Sequence, residues 1–327
     1  MSVRGAAGRV WVLNLDAESE LSATHSYAPT QHLRTIVQRE RQRLIGTLVG
    51  PNDVVLDEER IERGDPLPER IRGWPGLAWC PTPRALALLR RVGAVPVLTP
   101  GLELLRTINA RPFAARLRSE HAPGSFEKHC ATVMEQALAL LARPAESGWL
   151  VRREFGAAGR GRRRLHSGRP GADELAWLQA SLRQGPLIIE PWVAIEREYT
   201  RSAWLRRDGS VLISEPCAQT TTEHGAWLDT ERIHADAITR ADDEALQAMT
   251  ERVANALAAA GYHGPFGIDA YRHRLPQGGA TVLNPLSEIN ARFTMDWATA
   301  MARDPRTGVA LDELHRLSAE PVIEETT

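Results

Sequence analysis

Over the first hundred residues, short apolar runs alternate with apolar residues at helical spacing. RVWVLNL (9–15) is a valine-rich run that ends in a polar turn, and it predicts a buried strand. TQHLRTIVQRERQRLIGTLV (30–49) predicts a helix and DVVLD a second short strand. TPRALALLRRVG (82–93) is framed by Thr-Pro and Gly, good start and stop signals for a helix, and AVPVLTP predicts a third strand. This alternation predicts a parallel sheet covered by helices over residues 1–107. No G-x-G-x-x-G follows the first strand, so a dinucleotide site there is unsupported.

The middle of the chain is mixed. GLELLRTINARPFAARLRSE (101–120) predicts a helix interrupted near Pro112, and SFEKHCATVMEQALALLARP (125–144) a continuous helix. GWLVRREF (148–155) predicts a strand that runs into the glycine-rich GAAGRGRRRL. A helix (ADELAWLQASLRQG) and a strand (PLIIEPWV, 186–193) follow, so 108–189 is expected to form a small central unit. From 190 to 327 period-two alternation dominates. REYTRSAWLRRDGSVLISEP contains Asp-Gly, a strong hairpin signal. RADDEALQAMTERVANALAAAG predicts a long helix, and GPFGIDAYRHRLPQGGATVLNPLSEINARFT an antiparallel strand pair. The tail AEPVIEETT is expected to be disordered.

Composition narrows the function classes. The 327 residues, 43% of them hydrophobic, suffice for two or three subdomains. Forty basic residues balance 41 acidic ones, which disfavours a nucleic-acid protein. Cys80, Cys130 and Cys217 show no metal spacing or disulfide framework. No signal peptide and no run of about 18 apolar residues is present, so the expectation is a cytoplasmic protein without a membrane span. Lys128 is the only lysine.

Three stretches carry candidate chemistry. Gly156, Gly159 and Gly161 can let backbone N–H groups converge on an anion, although a plain surface loop fits that stretch equally well. Arg160, Arg162, Arg163 and Arg164 admit a nucleic-acid reading that lacks interleaved aromatics. LIIEPWVAIEREYT resembles a crossing between domains, where backbone groups can meet an adenine edge; alternatively Trp192 is core and Glu196 and Glu198 are solvated. The last stretch is the most informative. Asp269 lies on one strand, and Glu288, Asn290 and Arg292 are spaced two apart on the next, where alternation puts them on one face. Oxygen ligands on one face suit Mg²⁺, and Arg292 offers a fork for phosphate oxygens; a solvated polar face is the alternative.

The order of these pieces (Gly-rich loop after a strand, Glu-Pro hinge with a following glutamate, Asp, then Glu-x-Asn-x-Arg) resembles the ATP-grasp superfamily. The resemblance covers roughly residues 100–300, with Ala291 where proline often stands. It implies an α/β (α+β) ATP-grasp fold preceded by a Rossmann-like domain. It implies ATP between the central unit and the C-terminal sheet, with Glu190, Trp192 and Val193 at adenine and Glu198 on the ribose, Glu196 being the fallback. Gly156, Ala158 and Gly159 would cover the phosphates as a lid. Arg152 stands where the family usually has a phosphate-contacting lysine, and Arg111 near a second cationic contact. Glu288 would bridge two Mg²⁺ ions, for which Mn²⁺ can substitute, with Asp269 and Asn290 completing the two sites. Arg292 and Arg152 would act in catalysis. The implied activity is an ATP-dependent, ADP-forming carboxylate–amine ligase acting on small-molecule carboxylate and amine substrates, with homodimer formation as a further expectation. A phosphotransferase on the same scaffold and a non-catalytic nucleotide binder remain open. Substrate selection is assigned to 219–233, where His224, Trp227 and Arg232 are candidates and are also ordinary loop residues.

Overall fold

The computed structural model describes residues 8–23, 26–66, 69–97, 99–121, 130–156, 159–166, 169–223, 225–233, 237–275 and 280–302. Ala158, His224, Lys128 and the tail AEPVIEETT therefore lie outside the described residues. The strands form three sheets. The first comprises β1 (Val10–Val12), β2 (Val54–Val55), β3 (Pro75–Ala78) and β4 (Val95–Pro96), parallel in the order β2-β1-β3-β4. Helix Pro83–Arg91 covers one face, burying Ala85, Leu88 and Leu89 against Val10 and Val12.

The second sheet comprises β5 (Cys130–Ala131), β6 (Trp149–Arg153), β7 (Arg162–Leu165) and β8 (Leu187–Pro191), antiparallel in the order β5-β8-β6-β7. Alternation divides its residues between two faces. Trp149, Val151, Leu165, Leu187 and Ile189 pack under helices Met134–Leu141 and Ala172–Leu182 in a core of their own. The opposite face carries Leu150, Arg152, Arg162, Ile188 and Glu190.

The third sheet comprises β9 (Ala194–Leu205), β10 (Val211–Ile213), β11 (Cys217–Thr221), β12 (Trp227–Arg232), β13 (Gly264–Arg274) and β14 (Thr281–Asn290). Its order is β12-β11-β9-β13-β14, with β10 also on β9. Helix Arg240–Ala259 packs on one face. One hydrophobic core joins this sheet to the first: Trp11, Leu77, Leu105, Ile108, Trp204, Phe266, Phe293 and Trp297 are all buried in it. Phe293 bridges the two units edge-on, 5.3 Å from the Trp11 ring and 5.0 Å from the Trp297 ring. The first and third units therefore form one block, and the second sheet stands apart on its own core.

Several expectations shift. The helix expected to be interrupted near Pro112 is two helices, Leu102–Asn109 and Arg111–His121, which break at Ala110; Pro112 occupies the first turn of the second, where a missing N–H costs nothing. That second helix packs on β14, so it belongs with the C-terminal sheet rather than with a central unit starting at 108. The continuous helix expected over 125–144 is instead strand β5 followed by the helix Met134–Leu141, because Cys130 and Ala131 pair with Ile188 and Leu187. The boundary at 189/190 falls inside β8: Glu190 pairs with Leu150 and is part of the second sheet. Among the described residues no helix is long and apolar enough to cross a membrane.

Candidate active site

The cleft is built from the arginine-bearing face of the second sheet and the acidic face of the third. Residues directly opposite in an antiparallel pair share a face. Asp269 stands opposite Glu288 and Thr200, Tyr271 opposite Glu198, and Glu198 opposite Gln219. Asn290 follows Glu288 by two, so alternation gathers Glu198, Gln219, Asp269, Glu288 and Asn290 on one surface, as expected for the metal candidates. The alternation ends there. Ala291 N–H is claimed by Asn109 Oδ1 at 2.8 Å, and Arg292 lies beyond the strand. Its Nη2 reaches back to Asn290 Oδ1 at 2.9 Å, so it joins the group from a turn rather than from the strand face.

The acids are crowded. Asn290 Nδ2 donates to Asp269 Oδ2 at 3.1 Å, and Gln219 Nε2 lies 3.3 Å from Asp269 Oδ1 and 2.8 Å from Asp296 Oδ2. Burial, reinforced by Asp296 and Glu288, pushes the Asp269 carboxyl well above its ordinary range. Asp296 is buried, accepts from Trp227 Nε1 at 3.0 Å and from Thr230 Oγ1, and is likewise raised by burial. Among the described residues no three His, Cys, Asp or Glu side chains form a metal-binding group. The set on offer is two carboxylates and an amide, all oxygen donors. It fits Mg²⁺, which keeps several waters and takes one or two carboxylates plus substrate phosphates. The crowded carboxyls are what such a cation would neutralise.

The cationic side faces them. Arg111 opens the helix Arg111–His121, and its guanidinium donates to Arg153 O at 2.8 Å, Gly156 O at 2.7 Å and Glu288 Oε1 at 3.0 Å. It ties the start of the glycine-rich turn to the acidic face. In that turn Gly159 and Gly161 have φ of 76° and 73°, and a Cβ on Gly156 would sit 2.4 Å from Arg160 O. Arg152 is buried, and its Nη2 donates to Glu190 Oε2 at 2.6 Å. Arg118, seven residues after Arg111 on the same helix, donates to the other Glu190 oxygen and to Leu286 O at 3.0 Å. Burial alone would raise the Glu190 carboxyl, but Arg152 and Arg118 override it and hold it at about 2. The carboxylate of Glu190 is thus engaged by two arginines.

The remaining expected residues are placed as follows. Glu198 Oε2 accepts from Thr221 Oγ1 at 2.6 Å on the acidic face, whereas Glu196 pairs with Arg274 on the surface, away from the cleft. Trp192 and Val193 form the bend between β8 and β9. Trp192 N–H donates to Gly148 O, and the Arg164 guanidinium stacks 4.5 Å over its ring. Arg163 and Arg164 donate to Asp173 O and Ser147 O of their own unit. Trp227 serves Asp296, and Arg232 donates to Thr299 O and Ala300 O.

Sequence reasoning missed Glu18, Arg118 and Asp296, took Gln219 only as the start of the substrate stretch 219–233, and gave Arg162 no role of its own beyond the glycine-rich stretch and the nucleic-acid reading. Arg162 sits opposite Arg152 on the cleft face, where Arg152, Glu198, Arg111 and Glu288 act on its charge. Its Nη2 lies 3.3 Å from Glu223 O, and a Cβ on Gly225 would strike its guanidinium at 2.6 Å. The second sheet thereby meets the β11–β12 turn.

No protein-family model matches the chain, and no curated protein matches it significantly in sequence. Solved structures do match. D-alanyl-alanine synthetase A from Vibrio cholerae superposes with a TM-score of 0.53 at 14% identity, covering 96% of this chain and 98% of that one. The biotin carboxylase domain of Hydrogenobacter thermophilus 2-oxoglutarate carboxylase, solved with MgADP and bicarbonate, gives 0.52 at 10% identity over 97% of this chain and 70% of that one. This chain has the ATP-grasp fold. Pyruvate carboxylase from Rhizobium etli gives 0.53 at 13% identity, over 89% of this chain and 26% of that one.

Gln219 Nε2 bridges Asp269 and Asp296, and so orients a carboxyl that is a candidate metal ligand. Gln219→Ala is expected to weaken Mn²⁺ binding in the presence of ADP by about 10–100-fold, measured by electron paramagnetic resonance titration. An unchanged Mn²⁺ affinity would remove Gln219 from this role.

Proposed function

We propose that this protein is an ATP-dependent ligase that activates a substrate carboxylate as an acyl phosphate and transfers the acyl group to an amine. The observation that carries the reading is the pairing of two faces: Arg152 and Arg162 on the second sheet, and Asp269, Glu288 and Asn290 on the third, with Arg111 on the helix beside β14 joining Glu288 to the glycine-rich turn. The fold shared with D-alanyl-alanine synthetase and biotin carboxylase supports it.

In this reading Glu190, Trp192 and Val193 flank the adenine, and Glu198 accepts from a ribose hydroxyl with the oxygen that Thr221 leaves free. Arg111, Arg152 and the turn at Gly156 and Gly159 hold the phosphates. Asp269, Glu288 and Asn290 would hold Mg²⁺, which when bound supplies charge neutralisation at the phosphoryl group. The substrate carboxylate attacks the γ-phosphorus, the bond to the β,γ-bridging oxygen breaks, and ADP leaves. The amine then displaces phosphate from the acyl carbon and loses its proton. Arg292 faces the transferring phosphoryl oxygens. The lid, with its separate core, closes as a unit and excludes water from the acyl phosphate.

Isothermal calorimetry tests the first half. MgATP is expected to bind with micromolar affinity, much more weakly without Mg²⁺. A screen of amino acids and short peptides for ADP release tests the second. Absence of MgATP binding would sink the proposal. One observation favours a rival: Arg152 is already claimed by Glu190, as suits a protein that binds nucleotide without turning it over. MgATP binding with no ADP release under any carboxylate and amine would favour that rival.

A further inference from the structure

Arg292 is held from the far end of the chain. Its Nη2 donates to Glu18 Oε1, an ion pair between residues 274 positions apart. Glu18 belongs to the short helix Ala17–Leu21 that follows β1 at the carboxyl edge of the first sheet. Both groups are sequestered: Glu18 is 8% exposed, and the Arg292 side chain 12%. Arg292 Nη1 donates to Phe293 O at 2.9 Å, and its guanidinium lies 5.7 Å from the Trp79 ring centre. Trp79 O in turn accepts from Phe293 N–H at 3.2 Å, so the first sheet grips the segment on both sides of the side chain. Among the described residues Arg292 Nε is buried and has no hydrogen-bond partner.

Two attractions compete for this guanidinium. On one side are Asn290 Oδ1 and, behind it, the acidic face that carries Asp269 and Glu288. On the other are Glu18 and Phe293 O. Without Glu18 the balance would draw Arg292 toward Asn290 and leave the phosphoryl position empty. With Glu18 the guanidinium is held between the two. A planar fork holds this kind of position better than an ammonium, because two acceptors can fix its plane.

We propose that Glu18 is a positioning residue, which sets Arg292 against the pull of the Asp269–Glu288 pair so that it meets the γ-phosphoryl group and not the nucleotide's other phosphates. The inference rests on the ATP-dependent reading of the cleft. It makes the N-terminal domain a participant in phosphoryl transfer through a side chain that touches no nucleotide.

Aluminium fluoride, bound beside MgADP, is the probe for the γ-phosphoryl position. Calorimetry would compare MgADP affinity, and the gain in affinity on adding aluminium fluoride, for the intact protein, Glu18→Gln and Glu18→Asp. Misplacing one contact to the transferring group costs about 10–100-fold. In Glu18→Gln the gain from aluminium fluoride is therefore expected to fall by that factor, with MgADP affinity unchanged. Glu18→Asp keeps the charge and is expected to recover part of the gain. The inference is overturned if Glu18→Gln retains the full gain, if it loses MgADP affinity to the same degree, or if Glu18→Asp is no better than Glu18→Gln. Failure of the intact protein to bind MgADP at all would instead refute the reading of the cleft.

Discussion

Replacing Glu190 by glutamine is expected to destabilise the protein by about 3–5 kcal/mol, the cost of leaving buried charges without their counter-ion. Arg118 and Arg152 converge on this one carboxylate, with side chains 2% and 10% exposed, and the carboxylate itself is 4% exposed. Glutamine keeps the shape but removes the charge, so two guanidinium groups would share a neutral amide. The pH dependence has a definite sign. Folding lowers the Glu190 carboxyl from 4.5 to about 2, against the opposing effect of burial, because Arg152 and Arg118 stabilise its charged form. Its contribution, roughly 3 kcal/mol, is fully present above the unfolded value and is lost as the pH falls through the folded one. Urea denaturation at a series of pH values would show it. The gap between intact protein and Glu190→Gln should be widest above pH 4.5 and close toward pH 2. A gap independent of pH would mean that the loss comes from packing rather than from charge.

The same cluster shows what the sequence could and could not disclose. The β13–β14 hairpin was legible because its information is local. Strict alternation places Asp269 on one strand and Glu288 and Asn290 on the next, and the pleat does the rest. The Glu198 face follows in the same way from β9. The triad of Arg118, Glu190 and Arg152 was not legible, because it requires the helix Arg111–His121 to lie on β14 and to bring together residues 72 and 38 positions apart. No periodicity encodes that docking. Strand β5 was hidden for a related reason: Cys130 and Ala131 precede a helical pattern and become strand only by pairing with β8. Strand β7 is not legible because Arg162, Arg163 and Arg164 hide its alternation; it emerges only when Leu165 is seen in the core of the second sheet. Glu18 and Asp296 carried no spacing relation to the motif they serve. Asp296 stands out only as an acid within the largely apolar FTMDWAT, and Glu18 is one of three acids in LNLDAESE that nothing local distinguishes.

Glu288→Gln is expected to have the largest effect on function. Glu288 stands opposite Asp269 in the hairpin, and its Oε1 accepts from Arg111 Nη2 at 3.0 Å. Glutamine would preserve the register and the hydrogen bond's geometry but withdraw the charge that a cation needs. Charge stabilisation of a transferring phosphoryl group by bound metal is worth several kcal/mol, so ADP release should fall by about 10³-fold or more. The measurement that isolates the cause is the Mg²⁺ dependence of nucleotide binding. In the intact protein ATP affinity should rise steeply with Mg²⁺, because the metal relieves the repulsion between the phosphates and the Asp269–Glu288 pair. In Glu288→Gln one of those repulsive charges is gone, while Arg111 still donates to Arg153 O and Gly156 O. Metal-free ATP should therefore bind the variant at least as well as it binds the intact protein, and the response to Mg²⁺ should flatten. If metal-free ATP bound the variant more weakly, Glu288 would be acting through Arg111 as a structural strut. The acidic face would then lose its claim to be the metal site.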